Sequence, residues 1–216
     1  MHASRRLANL EIFEGRMPKK IKTILDVREA CVLVARAAIA EQGVENLSLR
    51  DVARRLGVSH QAPYKHYANR DALLAEVMRR CFENFAKHLD SRQRSEHPHE
   101  DMSSMGHEYL DYARNNPLEY RLMFGTPWPA AAEHPELVKN AQHAFDLLKE
   151  ALRRTHGAAA EQKTIELDAL FIWSALHGLS SILQSSAIVS LGLAENVLDE
   201  APLHVLQRIG TGLAPR

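Results

Sequence analysis

At 216 residues, with 45% hydrophobic and 25% charged residues, the chain has the composition of a soluble globular protein, which excludes a disordered or fibrous class. Its longest nearly uncharged apolar run, between Asp168 and Gln184, is shorter than the roughly 20 residues of a membrane-spanning helix. No sustained apolar segment follows Arg5 and Arg6, as it would in a signal peptide. We therefore expect a cytoplasmic protein with no membrane partner. The formal net charge of +0 conceals an asymmetry, because residues 1–70 hold 13 Lys and Arg against 7 Asp and Glu while the remainder holds 14 against 20, and only the first part suits a polyanionic partner.

The chain begins with a basic segment and then becomes helical. Residues 1–22 show no clean periodicity and contain six Lys and Arg against two Glu, which predicts a flexible basic arm. The next segment has apolar residues at the spacing of one helix face, with Asp26 placed to cap its start and Gly43 to end it. These apolar residues are Ile24, Val27, Cys31, Val34 and Ala38.

Two short helices follow, and each has its own capping signals. Ser48, followed three residues later by Asp51, predicts the start of the first helix, which ends at Gly57. Ser59 is placed to cap the second helix, which we expect to run to about Tyr67 and to point its free backbone amides toward phosphate. Two short helices behind a longer packed helix form a helix-turn-helix, in which the second helix enters a DNA major groove about 12 Å wide.

The rest of the chain is predicted to be helical as well. Asn69 is placed to cap a long helix, and the polar run 91–100 predicts a loop. The buried stripe of the long helix is predicted to be Leu74, Met78, Cys81, Phe85 and Leu89. Further helices are expected at about 101–115, 117–124, 134–155, 161–190 and 202–210. No stretch alternates with period two, so the predicted fold is all-α with about nine helices.

The helix-turn-helix segment carries a recognisable signature. Residues 49–67, LRDVARRLGVSHQAPYKHY, and their continuation 68–74, ANRDALL, closely resemble the DNA-binding signature of the tetracycline-repressor-like family. The resemblance is strong over residues 24–82 and weak beyond them. It implies a three-helix DNA-binding domain at 23–69 and a helical ligand-binding and dimerisation domain at 70–216.

The resemblance also implies roles for individual residues in binding a double-stranded DNA operator. Gln61 suits bidentate hydrogen bonds to adenine, and Ala62 suits contact with a thymine methyl group. Pro63 departs from the aliphatic residue more common at its position and removes one backbone amide, while Tyr67 is interpreted as a packing residue. The implied DNA contacts are His60, Gln61 and Ala62 to base edges, and Ser48, Ser59, Tyr64, Lys65 and His66 to phosphates.

The C-terminal part supplies apolar and aromatic residues, which either pack in a core or line a cavity for a small apolar effector. Trp173 and His177 share a helix face and, with Gly178, resemble the Trp-His-Gly signature of one subgroup of these C-terminal domains. The pair either offers a ligand an apolar wall and a polar handle or packs internally, and the sequence leaves both open. The candidate ligand-binding residues are Met105, Tyr109, Met123, Phe124, Trp128, Phe145, Trp173 and His177.

The last two helices are expected to form the interface of a homodimer. Small residues from Gly178 to Ala187 permit close helix approach, and Val205, Leu206 and Ile209 offer apolar contact area. Two copies of the DNA-binding domain then lie about one DNA turn apart, roughly 34–36 Å, and bind a palindromic operator.

Enzymatic and metal functions find no support in the sequence. The GxSxG, Gly-rich phosphate-loop and HExxH patterns are absent, so we expect no enzyme and no cofactor. His97, His99, Glu100 and Asp101 resemble metal ligands by type, but their spacing defines no tetrahedral site, so no metal site is expected. The predicted function is a repressor that a small apolar ligand releases from DNA. A dedicated partner-binding protein, a ligand-independent nucleic-acid-binding protein and an activator remain alternatives.

Overall fold

The structure is a computed structural model that describes residues 26–157 and 159–213. Every regular element within these residues is helical, which confirms the all-α prediction; the arm predicted at 1–22 lies outside them. No helix in the described ranges is both long and apolar enough to span a membrane. The α-helices are α1 Val27–Gln42, α2 Leu49–Leu56, α3 Arg70–Asp90, α4 Pro98–Asn115, α5 Pro117–Phe124, α6 Pro135–His156, α7 Gln162–Leu183 and α8 Val197–Gly212.

The chain divides into two compact units. The first comprises the described residues up to Met78 together with Pro127–Leu137, and the second comprises Arg79–Thr126 and the described residues from Val138 onward. The candidate DNA contacts therefore all lie in the first unit, and most of the candidate ligand-binding residues lie in the second.

Side-chain caps begin α1 and α2 where the sequence predicts them. Asp26 Oδ1 accepts a hydrogen bond from the backbone amide of Arg28 at 3.4 Å, and Ser48 Oγ accepts one from the amide of Asp51 at 3.1 Å. Each bond satisfies one of the amides that the first turn of a helix leaves without a backbone partner. The predicted starts of both helices are confirmed.

A glycine turn ends α2. Gly57 has φ 62° and ψ 36°, the left-handed conformation that a residue without Cβ adopts most easily. The amides of Gly57 and Val58 donate back to the carbonyls of Arg54 and Ala53, both at 3.1 Å, which is the hydrogen-bond pattern of a Schellman motif. The chain therefore leaves α2 in a defined direction.

The second short helix differs from the prediction. Only Pro63–Lys65 is helical, as a 3-10 turn, and the residues before it form turns. Pro63 has no amide to donate to the carbonyl of Ser59, so the α-helical bond at this point cannot form. That carbonyl accepts from the amide of Ala62 at 3.0 Å instead. Ser59 thus caps no helix here, and the expected set of free helical amides is not formed.

The long helix α3 agrees with its sequence pattern. Asn69 Oδ1 accepts a hydrogen bond from the amide of Ala72 at 2.8 Å and so caps its start. The predicted stripe is buried throughout, as Leu74, Met78, Cys81, Phe85 and Leu89. Since these residues recur every three or four positions, they line one face of the helix.

An ion triad around the buried Asp101 holds the connection between α3 and α4. Arg92 Nη2 and Arg154 Nη1 donate to Asp101 Oδ2 at 2.9 and 2.8 Å, and the Asp101 side chain is only 1% exposed. Arg92 also donates to the carbonyl of Leu89, and Arg154 to that of Ser95. Burial by itself raises the pKa of Asp101, but the hydrogen bond from Arg92 and the charges of Arg92 and Arg154 lower that pKa below its ordinary value. The triad therefore keeps a buried carboxylate ionised.

Several later helix ends differ from the predicted ones. α4 begins at Pro98, inside the predicted loop, because proline is favoured in the first turn of a helix, where its missing amide needs no partner. α7 ends at Leu183 rather than near residue 190, and Ser186–Leu191 forms a 3-10 segment. α8 begins at Val197 and contains Pro202, the residue at which the sequence predicts the helix to start.

Candidate functional site

Two buried residues anchor the segment that follows Gly57. Pro63 and Tyr67 are both buried, and the amide of Tyr67 donates to the carbonyl of Pro63 at 2.9 Å. The Tyr67 hydroxyl donates to the carbonyl of Arg28 at 3.1 Å, which ties the segment to α1. Tyr67 is therefore a packing residue, as predicted.

The residues around these two anchors face solvent. Tyr64 is 49% exposed, so half of a large amphipathic ring is available to a partner. Ala62 is half-buried, which makes it the least accessible of the three implied base contacts. The other implied contacts of this segment are exposed, namely Ser59, His60, Gln61, Lys65 and His66.

A surface groove of about 480 Å³ includes two of the implied phosphate contacts, Ser48 and Tyr64. Ser48 Oγ accepts the α2 cap bond, and its hydroxyl hydrogen can still be donated to an anion. Arg50, which is not among the predicted DNA contacts, is exposed and lines the same groove. A cationic residue in the first turn after the Ser48 cap was the available signal. The remaining lining residues are Leu47, Leu49, Asn69 and Arg70.

The later arginines of α2 are engaged in ion pairs. Arg55 Nη1 lies 2.6 Å from Glu41 Oε2, and Arg55 Nε lies 2.6 Å from Asp51 Oδ2. Arg54 pairs with the other carboxylate oxygen of Asp51. Burial alone raises the pKa of Asp51, but hydrogen bonds from the two arginines lower this pKa on balance. Arg55 therefore joins α2 to the end of α1.

Aromatic side chains gather in the second unit. The ring centroid of Phe124 lies 5.9 Å from that of Trp173 and 5.6 Å from that of His177. The ring of Phe145 lies 5.9 Å from that of Trp173, and Tyr120, which the sequence analysis did not select, contacts Phe124 at 4.9 Å. The aromatic cluster, as we call this group, consists of Tyr109, Tyr120, Phe124, Phe145, Trp173 and His177.

Three candidate ligand-binding residues lie outside the aromatic cluster as defined. Met105 and Met123 are buried in the second unit. Trp128 is 38% exposed and lies in the first unit, because residues 127–137 belong to that unit. Trp128 was predicted to line the ligand site on residue type alone, and residue type carries no information about the unit in which a residue lies.

A hydrogen-bonded chain runs through the aromatic cluster. The hydroxyls of Tyr109 and Tyr120 lie 2.8 Å apart, and the Tyr120 hydroxyl lies 2.8 Å from His177 Nδ1. Burial raises the pKa of both tyrosines and lowers the pKa of His177. The three side chains are therefore uncharged at neutral pH, so the cluster combines apolar ring faces with neutral polar atoms.

Part of the predicted dimer surface is buried inside the second unit. Leu206 and Ile209 are buried within their own unit, at 8% and 6% exposure, so neither is available to a second copy. The burial of Leu206 has a local reason, since it packs on Gly106, where a Cβ atom would collide with it. The large apolar side chains that α7 leaves exposed are Leu167, Leu170, Phe171 and Ile182.

The fold and these two sites define a class of protein: one all-helical chain that joins a helix-turn-helix segment in its first unit to an aromatic cluster in its second unit. Comparison with known families agrees. The family model described as bacterial regulatory proteins, tetR family, matches residues 32–77. The model described as tetracyclin repressor-like, C-terminal domain, matches residues 102–201. Together they cover more than half of the chain, which therefore belongs to the tetracycline-repressor-like family. The family consists of transcriptional regulators, not enzymes.

Curated relatives are similar to part of the chain. The HTH-type transcriptional regulators Rv1816 of Mycobacterium tuberculosis and Mb1846 of Mycobacterium bovis are each 26% identical to it over 108 residues. The matched region is 49% of this chain and 46% of each relative, so the chain spans about half the length of the curated relatives it matches.

Solved structures share the fold over most of the chain. A protein of unknown function from Rhodococcus sp. RHA1 has a TM-score of 0.71 and 24% identity, covering 88% of this chain and 97% of its own. A putative tetR family transcription regulator from Shewanella sp. PV-4 has a TM-score of 0.68 and 16% identity, covering 89% and 100%. At these identities the likeness shows the fold alone.

Proposed function

We propose that this chain is a DNA-binding transcriptional repressor that reads a palindromic operator as a homodimer. The observation that carries the proposal is the outward presentation of the segment after Gly57. Buried Pro63 and Tyr67 hold this segment, while Gln61 and Lys65 face solvent. The excess of Lys and Arg in residues 1–70 supports a polyanionic partner for this part of the chain. A DNA-binding role also supports a cytoplasmic location.

The exposed side chains divide into two roles. Gln61 reads sequence through paired hydrogen bonds to an adenine edge. Lys65, Tyr64 and Ser48 hold phosphates and set the register, and the groove supports adding Arg50 to this group, since it is exposed beside Ser48 and Tyr64. Because the segment is a run of turns with a 3-10 end, it is less regular than an α-helix, and fewer of its residues reach the bases.

The homodimer forms through the exposed apolar face of α7. Leu167, Leu170 and Phe171 are about half exposed, at 57%, 49% and 50%, and three or four residues separate Leu167 from the other two, as on one helix face. Exposed apolar residues in a contiguous stripe are typical of protein–protein contacts. Leu167→Asp is expected to convert dimer to monomer in sedimentation velocity, whereas Lys139→Asp, at an exposed site on α6, should leave the dimer intact.

A small apolar ligand binds at the aromatic cluster and releases the protein from DNA. The cavity between α4, α7 and α8 is too small to be this ligand site, because its volume of about 60 Å³ is far below the roughly 300–1,000 Å³ of ligand pockets. The cluster offers ring faces together with the neutral His177 and Tyr120 pair as a polar handle. Its rings are in contact, so the ligand has to separate them as it enters.

Selection of duplexes from a random DNA pool tests the DNA-binding proposal. The full chain should enrich a palindrome with half-sites about 10 base pairs apart. Gln61→Ala should then lose about 1–3 kcal/mol of discrimination at one position of each half-site, and Lys65→Ala should weaken all duplexes alike. Enrichment of no motif, or identical behaviour of the two variants, contradicts the proposal.

Calorimetry with and without the selected duplex tests the ligand proposal. A screen of acyl chains and aromatic compounds by thermal shift first supplies a ligand. Coupling between the two sites is typically about 1–3 kcal/mol and must be reciprocal, so the duplex should weaken ligand binding by the factor by which the ligand weakens DNA binding. Equal ligand affinity in both titrations would instead favour the ligand-independent nucleic-acid-binding protein.

A further inference from the structure

Three side chains that the sequence analysis did not group converge between two helices of the second unit. His88 lies near the end of α3, and Glu108 and Asp111 lie about one turn apart on α4. His88 Nε2 is 2.9 Å from Glu108 Oε2 and 4.0 Å from Asp111 Oδ2. One nitrogen or oxygen atom of each residue lies within 4.8 Å of the other two. One imidazole nitrogen and two carboxylate oxygens therefore surround a space of the size that a single cation occupies.

The nitrogen at this point is buried without a well-aligned partner. His88 Nε2 has almost no exposed surface and makes no hydrogen bond of suitable geometry among the described residues, although Glu108 Oε2 is close to it. A buried polar atom without a hydrogen bond is unfavourable, and two neighbouring carboxylates repel each other. A cation between the three atoms removes both disadvantages at once.

Neighbouring groups hold two of the three side chains, Asp111 and His88, in this arrangement. Asp111 Oδ1 accepts a hydrogen bond from Asn115 Nδ2 at 2.8 Å, so the other oxygen, Oδ2, is the one that faces His88. The His88 ring packs against that of Tyr112, with centroids 5.3 Å apart. Partners of this kind orient ligands in metal sites and tune their affinity.

We propose that His88, Glu108 and Asp111 bind a divalent transition-metal ion, with Zn²⁺ as the representative case. Zn–N and Zn–O bonds of about 2.0–2.2 Å bridge atoms at these separations after small side-chain rotations. One imidazole with two carboxylates suits Zn²⁺ and its neighbours better than the all-oxygen sites of Mg²⁺ or Ca²⁺. The ligands are partly exposed, which leaves room for water to complete the coordination.

The ion joins the last turn of α3 to the C-terminal half of α4. Because the three residues come from two helices, binding stabilises the folded second unit by mass action. The earlier expectation of no metal site concerned the local run from His97 to Asp101, whereas this group joins His88 to Glu108 and Asp111, which lie 20 and 23 positions further along the chain. This site does not depend on the DNA-binding proposal, since none of its residues lies in the first unit.

Isothermal titration of Zn²⁺ into the full-length chain tests the site. The protein is to be produced without an affinity tag, stripped with EDTA and dialysed before use. The wild type should bind one ion per chain and unfold at a higher temperature with Zn²⁺ than without it. Glu108→Gln keeps the shape of the side chain but removes its charge, and should raise the Kd for Zn²⁺ by about tenfold or more; His88→Ala should abolish this binding.

His107→Ala is the matched control, because His107 neighbours Glu108 on α4 but is exposed and lies against the carbonyl of Ser103. It should bind Zn²⁺ as the wild type does. If His88→Ala does not fold, Glu108→Gln and Asp111→Asn decide the outcome. The proposal is overturned by a wild type without saturable binding at one ion per chain. It is equally overturned by binding that folded variants of His88 or Glu108 retain in full.

Discussion

The left-handed turn at Gly57 gives a prediction whose size follows from the structure. At φ 62° and ψ 36°, a residue with a Cβ atom is strained by about 1–2 kcal/mol. Gly57→Ala also restricts the unfolded chain, which offsets about 0.4–1 kcal/mol of that strain. The net result is a loss of about 1 kcal/mol in the free energy of unfolding. The residual strain acts on the segment that carries Gln61 and Lys65, so affinity for DNA should fall as well.

Gly157→Ala is the control for this prediction. Gly157 also has a positive φ, 85°, but lies in the second unit, between α6 and α7. Urea denaturation followed by circular dichroism should show a comparable loss of stability for both variants, and fluorescence anisotropy should show weaker DNA binding for Gly57→Ala alone. Unchanged stability of Gly57→Ala, or equal loss of DNA affinity in both variants, refutes the reasoning.

Three further predictions concern the second unit. Asp101→Asn leaves the buried Arg92 of the ion triad without its counter-charge and should lower the free energy of unfolding by about 3–5 kcal/mol in urea denaturation. Because the pKa of Asp101 is lowered in the folded chain, the stability that this carboxylate gives is present above about pH 4 and is lost as the pH falls further. Tyr120→Phe deprives Tyr109 and His177 of a hydrogen-bond partner and should lower stability by about 1–3 kcal/mol in the same assay, whereas an unchanged value contradicts the chain of bonds. Burial lowers the pKa of His177, so the unfolded chain binds the proton more readily and stability should fall as the pH drops below about 6.5; His177→Gln should lose this pH dependence.

Local signals predicted the elements that position the DNA-binding segment. The caps at Ser48 and Asn69 and the turn at Gly57 depend on interactions within a few residues, so their sequence patterns were sufficient. The same locality explains the error after Ser59. Pro63 was noticed as the loss of one amide, but the bond it removes is the one that an α-helix needs there, and the segment becomes a 3-10 turn.

The sequence pattern could not predict which residues far apart in the chain would pair. Arg154 meets Asp101 across 53 positions, and Tyr120 meets His177 across 57. Periodicity marks such residues as helical but does not say which faces meet. Leu206 illustrates the consequence, because an apolar residue on a terminal helix suits a dimer interface and an internal core equally well until its neighbours are known.

The salt dependence of DNA affinity tests the central claim most directly. Fluorescence anisotropy gives the affinity for the selected duplex at several salt concentrations for the wild type, for Lys65→Ala and for Lys163→Ala, whose lysine is exposed on α7 of the second unit. If Lys65 contacts phosphate, its removal should reduce the slope of log K against log salt by about one per bound chain, while Lys163→Ala keeps the wild-type slope. A Lys65→Ala slope equal to that of the wild type would contradict the claim that the segment after Gly57 binds DNA.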